Sequence, residues 1–324
     1  GSVKTNVDTS TTPGEIKVKT NAVEPTFTRS SVAYLSDGTQ VPAGQPRFEP
    51  GKFGKGVLIE EGTTNLISNP DFEVDTAGWN SWGGIIARDT TEHYYGLASL
   101  RVELPSGGNP WDGIYSNPIT VTAGATYTFS VKLKNQTAGV PMLVGIYQAS
   151  TDAEIGVVRF SSSINWENKT VTASIPVGVT SVYVRVSRDN YSSATTFWVD
   201  GFQLEQKPYA TSFTPGTRSP ETLTIPTAGV LNPQEGTIDL TYIPNHGTNG
   251  HGNRFILSAG VDTTSNEFRV EYRTNDRWYL KVGDVAGEYI TSLSANIPVA
   301  LTVRWDSSTV ALFVNGSKVI QINA

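Results

Sequence analysis

The 324-residue chain contains no cysteine. Disulfide frameworks and thiolate metal centres are therefore excluded. Methionine occurs once, at Met142, so the native start codon is expected to lie outside this sequence, and Gly1-Ser2 reads as a cloning remnant. Charge is sparse: 17 % of residues are Asp, Glu, Lys or Arg, the formal net charge is −6, and no basic run interrupts it. That balance argues against a nucleic-acid partner. No apolar run approaches the ~18 residues that a membrane-spanning helix needs. Sustained 3.6-residue periodicity is missing too, as is any internal repeat at a period of roughly 20–50 residues.

Aromatic residues, by contrast, make up 10 % of the chain, and the residues repeat with period two. Tyr127 to Leu133 and Ser181 to Ser187 alternate, and Phe268, Val270 and Tyr272 alternate with Glu267, Arg269 and Glu271. Ala311 to Ile322 reads as two strands around Asn315-Gly316, a hairpin signal because both residues tolerate φ > 0. Gly, Pro, Asn and Asp punctuate these runs at short intervals. The pattern predicts an all-β fold.

Composition sets the expected boundaries. Residues 1–22 are polar, with no core pattern, and read as a linker or arm. Residues 23–66 hold a few short strands. Residues 67–206 form one alternating block between Asn69-Pro70 and Lys207-Pro208, residues 207–222 are Pro/Thr/Ser-rich, and residues 223–324 alternate again.

Three stretches of the central block carry a resemblance. They are Asn69-Pro70-Asp71-Phe72-Glu73 with Gly78-Trp79, then Tyr95 to Val102 with Val121 to Lys132, then Phe197 to Leu204. In this order they resemble the β-jelly-roll carbohydrate-binding modules found beside xylanases and cellulases. The C-terminal block is similar to laminin-G/concanavalin A-like lectin sandwiches, through Glu235 to Leu240, Val303-Arg304-Trp305-Asp306 and Leu312 to Gly316. That resemblance implies further strands beyond Ala324, so a truncated C-terminus is one expectation. Another places missing strands upstream: Pro50 to Ile59 looks like the first strand of such a sandwich, and Leu223-Thr224-Ile225-Pro226 like the segment that follows it. The jelly roll is then either inserted in the lectin-like sandwich, with 23–66 and 207–324 as its two segments, or followed by it. Domain termini lie close together often enough for insertion. The strings Thr26 to Arg29, Pro46 to Glu49 and Leu58 to Leu66 resemble bacteriophage tail and minor structural proteins.

The jelly-roll resemblance implies a structural Ca²⁺ held by Glu73 and Asp200 with carbonyls from the segment flanked by Tyr95 and Ser99. Calcium takes 6–8 oxygen ligands, typically carboxylates and carbonyls. The ordinary alternative is two carboxylates serving turn hydrogen bonds.

A glycan platform follows from parity. Sugar sites pair exposed rings with a few planar polar groups. Val182, Val184 and Val186 point one way, so Tyr183 and Arg185 point the other; Val144 and Ile146 take the inward parity and Tyr147 the outward one. Trp111 lies in Gly107 to Gly113, and Trp82 in a similar glycine-rich stretch. Trp82, Trp111, Tyr115, Tyr147, Tyr183 and Arg185 are thus the candidate cleft, against the ordinary reading of scattered surface aromatics. Trp79, Trp166, Trp198 and Trp305 are read as packing residues.

Catalytic patterns are not found. A retaining glycosidase needs two carboxylates about 5–5.5 Å apart. Glu235 and Asp239 are four residues apart, and Glu267 and Glu271 share a face with Arg269 between them, as in a solvated ladder. His93, His246 and His251 show no triad or metal spacing. No nucleophile elbow, P-loop or dinucleotide fingerprint occurs. The expectation is a non-enzymatic, extracellular or virion-associated protein that binds cell-surface or cell-wall polysaccharide, with no nucleic-acid partner and no membrane span. A homo-oligomer or display on a particle would raise avidity by about 10²–10⁴. Two alternatives stand: a tail component without sugar binding, and an ancillary fragment of a secreted glycoside hydrolase.

Overall fold

A computed structural model of the chain describes residues 25–51, 54–224, 232, 234–244, 253–259 and 267–323. The expected arm at 1–22 and the loop carrying His246 and His251 lie outside them. The chain divides into two compact units, one up to Ile225 and one from Pro226. Among the described residues no helix is long and apolar enough to cross a membrane.

The alternating block folds as two antiparallel sheets. Its strands in chain order are β1 (Trp79–Trp82), β2 (Ile85–Asp89), β3 (Ser99–Leu104), β4 (Gly113–Ser116), β5 (Ile119–Thr120), β6 (Thr126–Asn135), β7 (Pro141–Gln148), β8 (Glu154–Ser161), β9 (Glu167–Ser174), β10 (Ser181–Arg188) and β11 (Thr195–Glu205). One sheet runs β8-β7-β10-β4-β1, with β5 also on β10; the other runs β9-β6-β11-β3-β2. Each strand turns one parity inward. Val182, Val184 and Val186 of β10 meet Phe129, Val131 and Leu133 of β6 in one core, so each buried aliphatic side chain contributes about 1.5–3 kcal/mol.

The last strand carries a bulge. Ser130 pairs with Gln203 but Lys132 pairs with Asp200, so the ladder slips between them. Gly201 takes φ 59° there, and a Cβ at that position would stand 2.3 Å from Cε2 of Tyr95. The extra residue lets Phe197, Val199, Phe202 and Leu204 all reach the core while Asp200 is turned aside and buried.

Among the described residues, no strand of 26–66 pairs with a strand of the C-terminal unit, which departs from the expected insertion. Residues 26–66 form a clasp with the segment after the jelly roll. Thr26–Thr28 pairs with Thr222–Thr224, and Thr63–Thr64 with Thr217–Arg218. The expected lectin strand at 50–59 is instead divided between two paired strands, Arg47–Gly51 and Gly54–Leu58, with Arg47 opposite Leu58. Asn65 seals the clasp to the sandwich: its amide donates to the carbonyls of Phe202 and Thr214, and its Oδ1 accepts from the backbone N–H of Leu204. Charge locks the interior. Glu221 accepts from Nη1 of Arg29 at 2.8 Å and from Nε and Nη2 of Arg47 at 3.0 and 2.8 Å. Glu60 takes another Nη2 contact of Arg47 at 2.7 Å and lies 3.3 Å from Arg218. The first compact unit therefore spans the clasp and the jelly roll together, and its boundary falls at 225/226 rather than 206/207.

The second unit has two four-stranded antiparallel sheets. Its strands are β12 (Gly236–Tyr242), β13 (Arg254–Ala259), β14 (Phe268–Arg273), β15 (Arg277–Val282), β16 (Val285–Ile290), β17 (Val299–Trp305), β18 (Thr309–Val314) and β19 (Ser317–Asn323). The sheets run β12-β17-β18-β19 and β13-β14-β15-β16 and share a core of Val270, Tyr272, Trp278, Leu301, Leu312 and Ile320 among others. The expected hairpin is present, with φ 50° at Asn315 and 82° at Gly316.

Candidate functional site

The outward parity of the β8-β7-β10-β4-β1 sheet brings the candidate aromatics together. Tyr147 on β7 stands opposite Tyr183 on β10, and Tyr115 on β4 stands opposite Arg185. Trp82 is placed at the end of strand β1, opposite Gly113, rather than in a glycine-rich loop. The rings form a continuous row. Tyr147 and Tyr183 stack at 5.5 Å, Tyr183 meets Tyr115 at 5.6 Å, and Tyr115 stacks on Trp82 at 4.0 Å.

Arg185 ties the row to a loop. Its guanidinium lies 4.8 Å from the centroid of Trp82 and 5.2 Å from that of Tyr147, a geometry in which cation and ring attract. It donates to Ser187 Oγ at 3.1 Å and to the carbonyl of Trp111 at 2.6 Å. A guanidinium has five N–H donors, so these two contacts leave donors over for a ligand. The Trp111 ring is 39 % exposed, which makes it the open member of the set. All six candidates therefore meet on one face, but Tyr147, Tyr183 and Arg185 are covered by their neighbours and buried, where parity predicts open side chains.

Two glycines shape this face. A Cβ on Gly145 would stand 2.8 Å from Cε2 of Tyr147 and 2.7 Å from Val157, so the ring lies over backbone that carries no side chain. Gly83 packs against Asp112, whose Oδ2 would be 2.1 Å from a Cβ there. Neither position carries a hydrophobic or charge signal, and pattern reading passes over both.

The cleft above the rings has a volume of about 680 Å³ and is lined by Trp82, Trp111, Tyr147 and Arg185 together with Asn109, Asp112, Asp152 and Glu154. Asn109, Asp112 and Asp152 were missed from sequence because they sit between strands, where parity says nothing, and Glu154 opens strand β8 opposite Tyr147. Asp112 is bonded to Nη2 of buried Arg188 at 2.9 Å. Arg188 also donates to the carbonyls of Pro105, Asn109 and Ser193 at 2.8–3.0 Å, which fixes the loop that carries Trp111. Glu154 accepts from Arg159 at 2.6 Å. Burial pushes the Tyr147 hydroxyl up to about 12, so it stays protonated and able to donate. The buried Tyr183 hydroxyl has no hydrogen-bond partner. Such a group costs about 1–3 kcal/mol until something pairs with it.

Glu73 and Asp200 grip the same loop from two sides. Asp200 Oδ2 accepts from the backbone N–H of Tyr94 and Tyr95 at 2.8 and 2.7 Å, and its Oδ1 from that of Gly201 at 2.6 Å. Glu73 Oε1 accepts from Leu97 N–H at 2.6 Å. Tyr95 turns its ring onto Phe213 and Tyr34, and Ser99 donates to the carbonyl of Glu92. Burial pushes Asp200 up to about 8, partly offset by the three amides and reinforced by the charge of Asp71. Burial and Glu73 likewise raise Asp71. Each carboxylate has about four lone-pair sites, so Asp200 retains one and Glu73 several. Among the described residues no group of three or more His, Asp or Glu side chains comes within joint metal-binding reach.

The remaining tryptophans divide. Trp79 is buried in the core, its Nε1 donating to Asn69 O at 3.0 Å. Trp198 donates to Asp89 at 2.9 Å, Trp166 meets Tyr94 at 6.0 Å, and Trp305 packs on the second core. In the second unit Arg269 bridges Glu267 and Glu271 at 3.0 and 3.2 Å, a ladder as expected but a largely buried one rather than a solvated one, with Glu271 itself buried.

Comparison with known proteins places the first unit. No curated protein matches the chain. Solved structures that resemble it include the N-terminal xylanase 10B modules of Clostridium thermocellum complexed with xylohexaose, at 18 % identity and TM-score 0.35, over 44 % of this chain and 29 % of that one. This chain thus spans less than a third of that protein. The CBM22-1 xylan-binding domain from Paenibacillus barcinonensis Xyn10C matches at 16 % identity and TM-score 0.38, over 47 % of this chain and 99 % of its own. A family 16 carbohydrate-binding module matches at 22 % identity and TM-score 0.35, over 43 % and 99 %. The model of the family described as "Carbohydrate binding domain" matches residues 64–225. That match takes in half of the chain, both jelly-roll sheets and the closing half of the clasp, and the chain belongs to this carbohydrate-binding family.

Proposed function

We propose that the protein is a non-catalytic glycan-binding module, and that the ligand lies along the ring row on the β8-β7-β10-β4-β1 face. The observation that carries this reading is the convergence of Trp82, Trp111, Tyr147 and Arg185 on one cleft, with Tyr115 and Tyr183 completing the ring row beneath it. Rings offer stacking planes for the C–H faces of a sugar, while Arg185 and the tyrosine hydroxyls answer its hydroxyl groups. We assign the module an ancillary role in a larger secreted glycan-directed protein. The phage-tail setting rests only on the strings at 26–66, whose residues serve the clasp. Titration with a panel of neutral oligosaccharides tests the reading. Saturable binding that Trp82→Ala and Trp111→Ala weaken supports it. No binding at millimolar concentration to any member would leave a purely structural role.

We further propose a structural Ca²⁺ between Glu73 and Asp200. What supports the reading is a buried carboxylate to which no cationic side chain is bonded among the described residues, with the charge of Asp71 acting on it and that of Glu73 acting on Asp71. A bound ion would supply positive charge that keeps Asp200 ionised and would pin the 94–97 loop. Isothermal titration of EDTA-stripped protein with calcium tests this; no heat and no shift in melting would remove it.

A further inference from the structure

A second cavity lies where the two jelly-roll sheets meet at their edge. It measures about 700 Å³, and Gly83 borders both it and the ring-lined cleft. Its floor is apolar, made by Leu104 and Val140, both buried. Tyr191 supplies one ring, and Gln136 and Thr196 stand at its wall.

Asn135 gives the cavity its chemistry. The residue is 1 % exposed and lines the cavity. Its Oδ1 accepts from the backbone N–H of Thr137 at 3.1 Å, which fixes which end of the amide is oxygen. Its Nδ2 has no hydrogen-bond partner. A buried donor without a partner is costly, and such groups are normally satisfied by protein, water or ligand. The one acid on the wall, Glu103, is paired with Arg101 at 2.5 Å. The site thus offers an amide donor, a ring and an apolar floor, with no free charge. That suits an uncharged polyhydroxylated ring and disfavours anions and cations alike.

We propose that this edge cavity is a second saccharide subsite, separate from the ring row, in which Asn135 Nδ2 donates to a hydroxyl of a neutral sugar and Tyr191 packs against its face. The proposal rests on the glycan-binding reading for its class of ligand but on different residues for its site.

The test is an NMR titration of the labelled full chain with xylohexaose, cellohexaose and β-1,4-galactotriose. Two reporters are followed separately: the Trp82 indole for the cleft, and the Asn135 side-chain amide with the Tyr191 ring for the edge. Saturable shifts are expected at the edge reporters with at least one of the three sugars, and they should persist in Trp82→Ala. Asn135→Asp keeps the acceptor for Thr137 and replaces the donor, so it should weaken the edge titration about tenfold, the equivalent of one buried hydrogen bond. Gln136→Ala, at an exposed position, provides a second variant should Asn135→Asp fail to fold; weakening of the edge titration alone supports the site. Cleft shifts without edge shifts up to 10 mM, about the weakest useful affinity, would overturn the edge site and leave the cleft intact. Edge shifts that track cleft occupancy and vanish in Trp82→Ala would also overturn it as a separate site. Silence at both reporters would overturn both readings.

Discussion

Glu221 sits at the centre of the clasp, and its removal should unlock residues 26–66 from the jelly roll. Its carboxylate accepts four donors: Nη1 of Arg29, Nε and Nη2 of Arg47, and the backbone N–H of Glu60, at 2.8–3.0 Å. The side chains of Arg29, Arg47 and Glu221 are all 0 % exposed. In Glu221→Ala, Arg29 loses its one acidic contact among the described residues, and Arg47 keeps Glu60 as its described acidic partner. Breaking a buried pair from one side strands a desolvated charge and costs about 3–5 kcal/mol. Against a domain stability of about 5–15 kcal/mol that is a large fraction. The contrast is Glu167→Ala, whose bridge to Lys169 at 2.9 Å is 41 % exposed on the acid side; such a surface pair is worth about 0–1 kcal/mol. Urea unfolding of the full chain, read at the core and cleft tryptophans of the first unit, measures both. A Glu221→Ala loss below about 1 kcal/mol, or one no larger than that of Glu167→Ala, would refute the argument that burial gives these charges their weight.

Further outcomes follow from other parts of the structure. Trp82→Ala removes the ring that stacks on Tyr115 and carries Arg185, and should weaken oligosaccharide binding by about 30-fold, the effect of losing a central ~2 kcal/mol contact; calorimetric titration reads it. Burial alone would raise Glu60, but the charges of Arg218 and Arg47 and the bonds to Arg47 and Ser212 hold its carboxyl below its ordinary 4.5. Its contribution to stability is present above the unfolded value and lost as pH falls through the lower folded one, so melting temperature should decline below about pH 4.5, and less so in Glu60→Gln. Calcium at 100 times its dissociation constant should raise stability by about 2.7 kcal/mol, and Asp200→Asn should abolish that rise; thermal melts with and without EDTA check it. Gly201→Ala would set a Cβ against the Tyr95 ring at φ 59° and should cost about 2 kcal/mol or more, measurable by urea unfolding.

Parity made the cleft legible. Because successive strand side chains point to opposite faces, the inward valines of β10 fixed the direction of Tyr183 and Arg185 before any contact was known. The same rule placed Tyr147. It failed at Asp112 and Asp152, because segments between strands have no period, and it was not applied to Glu154 at the start of β8. It was also silent on Asp200, where a bulge breaks the alternation. The domain boundary was misread for a different reason. The clasp joins Arg47 to Glu221 across 174 positions, and no local pattern states which distant charge a buried arginine will meet. The stretch Pro50 to Ile59 reads as one lectin strand, but its ends fall on two strands, and Gly54–Leu58 pairs with Arg47–Gly51 just before it.

The position of the clasp determines how the module would carry a load. Thr26 lies opposite Thr224, so the chain enters and leaves the jelly roll side by side. Tension between these two points pulls the short paired strands apart from their open end, one rung after another, before reaching the arginine–glutamate knot at Arg29 and Glu221. The sheets that present the rings lie beyond that knot, out of the line of force. Tension applied between the two flanking segments would thus open the clasp first, and the sheet that carries the rings would keep its geometry while the seam gives way.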